Sequence, residues 1–100
     1  MGMERHEVPT VFVRGAAVPG EVAYAERELR LALLSARAVS FVVLSIDTEG
    51  VDPAVVAVEV GIDGEDIEAR AAGATVRIAA DLCIEDLIAH LARSLVENGI

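Results

Sequence analysis

Cysteine and histidine are the side chains best suited to nucleophilic and general-base chemistry, and this chain holds few of them: Cys83, His6 and His90. Cys83 and His90 are seven residues apart. On a helix that spacing puts them on nearly the same side but separates them by about 10 Å of rise, beyond the hydrogen-bond reach a nucleophile–base pair needs. Cys83 therefore reads as a small core residue. His90 reads as the edge of an apolar stripe, and His6 falls in a polar N-terminal stretch. A lone cysteine also excludes an internal disulfide and a multi-cysteine zinc site. The carboxylates Asp63, Glu65, Asp66 and Glu68 cluster around a turn and could hold a cation weakly, but they lack the twelve-residue loop of an EF-hand. They read as solvated charges that guard a sheet edge against aggregation. Asp81, Glu85 and Asp86 show no geometry for paired acid–base work. The segment Gly15–Gly20 lacks the Lys and Ser/Thr of a phosphate-binding loop. The chain is expected not to be an enzyme and to need no cofactor or metal.

The remaining chemistry belongs to the arginines. All eight basic residues are arginine, against 17 acidic ones, for a net charge of −9. A nucleic-acid binder neutralises phosphates with Lys and Arg, and a net-negative protein repels polyanions at long range. Binding to a nucleic acid would thus need Arg14, Arg27, Arg30, Arg37 and Arg93 gathered into one patch. The alternative is that they are solvated ion-pair partners of Glu26, Glu28 and Asp86, each pair worth little.

The elements that must position these residues follow from periodicity. One hundred residues, 54% of them apolar, suit one packed domain. Residues 1–9 read as a flexible leader and 10–100 as the domain. No secretory signal is evident in the opening residues and no apolar run is long enough to span a bilayer, so a cytoplasmic location is expected. Thr10–Arg14 is a short strand ended by Gly15. A helix is predicted from Glu21 to Ala36, with Val22, Ala25, Leu29, Ala32, Leu33 and Ala36 on its core face. Val39–Asp47 and Ala54–Ile62 are strands, and Val56, Val58, Val60 and Ile62 share one side of the second. Asp63-Gly64 reads as a two-residue hairpin turn leading into Glu65–Ala71. A long helix is predicted from Thr75, its N-cap or first-turn residue, to Glu97, with the stripe Val76, Ala80, Cys83, Ile84, Leu87, Ile88, Leu91 and Leu95. The fold class is α+β, order β-α-β-β-β-α, with two helices packed on one face of a four-stranded sheet.

Outside the core stripes lies a second apolar set. Tyr24, Arg27, Leu31 and Leu34 follow a 3-4-3 spacing on the outward side of the first helix, and Ile78 and Leu82 point outward on the second, with Ala79, Ala89 and Val96 near them. Contiguous exposed apolar residues mark interfaces, whereas scattered ones are ordinary surface. Tyr24, Leu31, Leu34, Ile78 and Leu82 are the candidate protein-interface residues, for a homodimer or another protein partner.

Val11-Phe12-Val13-Arg14-Gly15, Asp63-Gly64 with Glu68-Ala69-Arg70, and Ala79-Ala80-Asp81 through Leu87 and Leu91 together resemble the N-terminal domain of the ribosome hibernation promoting factor and protein Y family. Val11-Phe12-Val13-Arg14-Gly15 is similar to its opening strand. Asp63-Gly64 with Glu68-Ala69-Arg70 is similar to its hairpin, and Ala79-Ala80-Asp81 through Leu87 and Leu91 to its final helix. The resemblance spans residues 10–95 and implies the family's double-stranded-RNA-binding-domain-like fold. It also implies a stress-response role in translation regulation: binding the small ribosomal subunit and its 16S rRNA near the decoding centre. The departures change charge: Thr75 stands in place of Asp, Arg77 of Tyr, Asp86 of Lys, His90 of Gln and Ala92 of a basic residue, while Arg93 stays basic. The competing expectation is an acidic interaction or homodimerisation module that uses the same fold without rRNA binding.

Overall fold

The structure is a computed structural model that describes residues 9–34, 39–49, 53–62 and 64–98, with side chains to residue 93. Its elements run β1 (Thr10–Arg14), α1 (Pro19–Ala32), β2 (Val39–Asp47), β3 (Ala54–Ile62), β4 (Glu65–Gly73) and α2 (Val76–Asn98). The α+β class and the order β-α-β-β-β-α are those expected from the sequence. The sheet order is β1-β2-β3-β4; β1 and β2 are parallel, and the other pairs are antiparallel.

Alternation along the strands splits the sheet into two faces. Val42, Leu44 and Ile46 of β2 meet Val60, Val58 and Val56 of β3 across the ladder, and these in turn meet Ile67, Ala69 and Ala71 of β4. The helices cover this side with Ala25 and Leu29 of α1 and Val76, Ala79, Ala80, Cys83, Ile84 and Leu87 of α2. At about 1.5–3 kcal/mol for each fully buried large aliphatic side chain, this inner face is what holds the domain together.

Helix α1 begins at Pro19, two residues before the predicted start, because proline in a first turn needs no amide partner. Its last helical residue is Ala32, so the predicted extension to Ala36 fails at Leu33–Leu34, which form a turn. Ala36 itself lies outside the described residues. Thr75 caps α2: its Oγ1 accepts a hydrogen bond from the Ile78 amide at 3.1 Å. Two stripe assignments are corrected. Ala79, expected outward, is fully buried, because the first turn of α2 lies so close to β4 that a side chain on Gly73 would collide with the Ala79 amide. Ile88, expected in the core, is 49% exposed. It lies two helical turns after Asp81, on the side of α2 that meets α1.

The turn residue Gly64 has φ +82°, the left-handed conformation that a tight hairpin demands; its partner Asp63 lies outside the described residues. Residues 1–8 of the expected leader also lie outside them, and Pro9, its last residue, is buried.

Candidate functional site

The arginines occupy separate places. Arg14 closes β1, where its carbonyl accepts hydrogen bonds from the Thr48 amide at 2.8 Å and the Thr48 hydroxyl at 3.3 Å. Its guanidinium pairs with Glu49 at 2.8 Å, both side chains well exposed. Arg30 pairs with Glu26 one turn earlier on α1 at 3.2 Å. Arg27 is exposed on the same helix. Near the end of α2, Arg93 Nη2 lies 2.8 Å from His90 Nδ1, and His90 Nε2 lies 3.5 Å from Asp86. Arg37 lies outside the described residues. Because β1 runs towards the end of the sheet from which both helices start, Arg14 is at one pole of the domain. Arg93 sits roughly 25 Å along the α2 axis from that pole. Arg14, Arg27, Arg30 and Arg93 therefore do not form one patch, and three of these four have polar partners.

The apolar candidates divide into three environments. Tyr24 lies between the helices: its hydroxyl donates to Asp81 at 2.6 Å, and the Arg77 guanidinium sits 4.5 Å above its ring. The hydrogen bond to the Asp81 carboxylate raises the phenol pKa, with desolvation adding to it. Tyr24 thus clamps α1 to α2. Leu31 is 53% exposed and Leu34 is 61% exposed at the end of α1. Ile78 and Leu82 are exposed one turn apart on α2, and Ile78 borders Gly73 at the edge of the sheet.

Cys83 is buried in the core, and burial pushes its thiol up to about 11, with the Asp86 charge adding to the shift. His90 engages Asp86 and Arg93. Glu65, Asp66 and Glu68 are exposed along β4. Among the described residues no group of three or more His, Cys, Asp or Glu side chains converges as a metal site would require.

One feature on the outer face of the sheet was not singled out from the sequence. Two cross-strand rows run over it: Phe12–Ser45–Ala57–Arg70, and Thr10–Val43–Glu59–Glu68. Small side chains in the middle of the first row leave a shallow open depression of about 440 Å³, lined by Val43, Ser45, Ala57, Val58, Glu59, Glu68, Ala69, Arg70 and Asp86. Phe41 lies over Gly61 at one end of this face, where a Cβ on residue 61 would collide with the Phe41 ring and the Ser40 hydroxyl. The signal that could have found this face is the complement of the core pattern: the alternate residues of β2, β3 and β4.

No family model and no curated protein matches the sequence. Solved structures do match the fold. A ribosomal subunit interface protein from Coxiella burnetii superposes with a TM-score of 0.77 at 16% identity, over 88% of this chain and 97% of that one. The Protein Y N-terminal domain of Thermus thermophilus superposes with a TM-score of 0.74 at 14% identity, over 89% of this chain and 99% of that one. The chain therefore has the fold that the resemblance in its sequence implied.

Proposed function

We propose that this chain is a non-enzymatic, cytoplasmic, ribosome-associated factor of the hibernation type, which restrains translation by occupying the small subunit. The observation that carries this reading is a fold likeness extending over nearly the whole of two solved chains, one called a ribosomal subunit interface protein and the other the N-terminal domain of Protein Y. The candidate contacts to 16S rRNA are Arg14, Arg27, Arg30, Arg37 and Arg93. Arg14, Arg27, Arg30 and Arg93 do not form the single patch expected from the sequence, so on this reading each contacts phosphate separately. Cosedimentation with purified small subunits across a salt series tests the reading. Binding that weakens steeply with salt, and further on Arg27→Ala/Arg93→Ala substitution, is expected. No cosedimentation at low salt, or binding insensitive to salt, would refute it.

The second reading is an acidic module that joins proteins, or two copies of itself, through its helical layer. It draws on the exposure of Leu31, Leu34, Ile78 and Leu82, with Tyr24 at the seam between the helices. Sedimentation velocity of the purified chain discriminates: a dimer that Leu31→Glu/Leu34→Glu dissociates supports it, and a monomer at high concentration removes the homodimer.

A further inference from the structure

We propose that the outer face of the sheet is a docking surface for a cationic protein segment that also carries apolar side chains. This goes beyond ribosome association and concerns the isolated chain. Both helices pack on the other side of the sheet, and Asp86 is the one helical residue among those that line the depression. Its apolar ground is real: Phe12 is 59% exposed there, beside the depression floored by Ser45 and Ala57 and bordered by Val43. An exposed aromatic next to a concave, partly apolar floor is a place where a partner's side chain is desolvated on contact.

The charge on the same face selects the occupant. Glu59 and Glu68 stand directly opposite each other across β3 and β4. Like charges in that position destabilise a sheet, and neither carboxylate has a cation within ion-pair distance among the described residues. Arg70, on the neighbouring row, leaves both unpaired. A guanidinium or ammonium laid across this pair would remove the repulsion and form charge-assisted hydrogen bonds. Phe12, Val43 and Ala57 would meanwhile take apolar side chains. A polyanion is repelled by these carboxylates and by the net charge of −9. A second copy docking through this face would set the same carboxylate pair against itself. A basic, partly apolar segment is the occupant that complements both features.

Fluorescence anisotropy on the full chain, with a labelled ten-residue peptide of alternating Arg and Val as probe, tests this. Binding in roughly the micromolar range is expected, with alternating Glu–Val and Ser–Val peptides and a short single-stranded RNA much weaker. Glu59→Gln/Glu68→Gln and Phe12→Ala should each weaken it about tenfold or more. Glu21→Gln/Glu85→Gln, which removes the same charge from the helical layer, should leave it within about twofold, because exposed charges acting only at long range are largely screened by salt. Thermal melting of Glu59→Gln/Glu68→Gln at or above the wild-type midpoint shows that lost binding is not lost folding. Equal binding of the Ser–Val peptide, equal loss in the two double variants, tighter binding of the RNA, or self-association abolished by Phe12→Ala would each overturn the proposal.

Discussion

The inner and outer faces of the sheet are made by the same strands, residue by residue in alternation, yet they are built to different standards. On the inner face Leu44, Ile46, Val56, Val58 and Val60 are essentially sealed, and no buried polar or charged residue occurs among the described residues. On the outer face an exposed Phe12, a small-residue depression and an opposed carboxylate pair share the surface. The inner set satisfies the hydrophobic requirement of folding so fully that the outer set is left free of it. Features that do not help folding, such as Glu59 facing Glu68, are therefore the ones that report on binding.

Leu44→Ala removes a fully buried side chain from the inner face and should cost about 2–5 kcal/mol in urea unfolding, with an unchanged denaturant slope. A loss below about 1 kcal/mol would mean that this face can collapse around the cavity. Gly61 is the expected exception outside the core. Gly61→Val drives a side chain into Phe41 and Ser40 and should cost about 1–3 kcal/mol, with part of the loss recovered by Phe41→Leu. If Phe41→Leu recovers nothing, the restriction at residue 61 lies in the backbone.

Burial raises the Cys83 thiol from an ordinary 9.0 to about 11. The folded state therefore favours the protonated thiol. That contribution to stability is complete below pH 9 and is lost as pH climbs from there through about 11. The raised Tyr24 phenol, protonated against Asp81, works in the same direction. Urea midpoints measured from pH 8 to 11 should fall, and thiolate absorbance should appear later in the folded chain than in the unfolded one. Coincident thiolate titrations would show that the core admits water at Cys83. The smallest effect is on the outer face: Glu59→Gln should raise stability by up to about 0.5 kcal/mol by relieving a cross-strand repulsion. A loss of more than about 1 kcal/mol would place Glu59 among the structural residues and erase the distinction between the faces.

The elements and the core were largely legible before any coordinates. Val56, Val58 and Val60 announce a half-buried strand by strict alternation, and Ala80, Cys83, Ile84 and Leu87 announce an amphipathic helix by spacing. The strand bounds Val39–Asp47 and Ala54–Ile62 are those read from composition. Errors fell at ends and edges. The stripe of α1 continues in the sequence to Ala36, but helical geometry stops at Ala32; Ala79 and Ile88 sit at the margins of the α2 stripe, where 100° per residue does not decide between core and surface. The candidate site was far less legible. Tyr24 looked like an outward residue because its partners, Asp81 and Arg77, lie more than fifty residues away on a helix whose placement no local pattern states.

Backbone periodicities of two and 3.6 residues are local properties of the chain, so the identity of each element and the face most residues take can be read from the residues alone. Even the Glu59–Glu68 opposition follows from counting outward from the hairpin turn. Only the tertiary structure decided that β1 lies parallel beside β2, so that Phe12 borders Ser45 and the depression beyond it. It alone decided that Arg14 and Arg93 end at opposite poles. Periodicity says which way a side chain points; which neighbour it meets across elements depends on strand order and helix placement, and these are set by how the whole core closes.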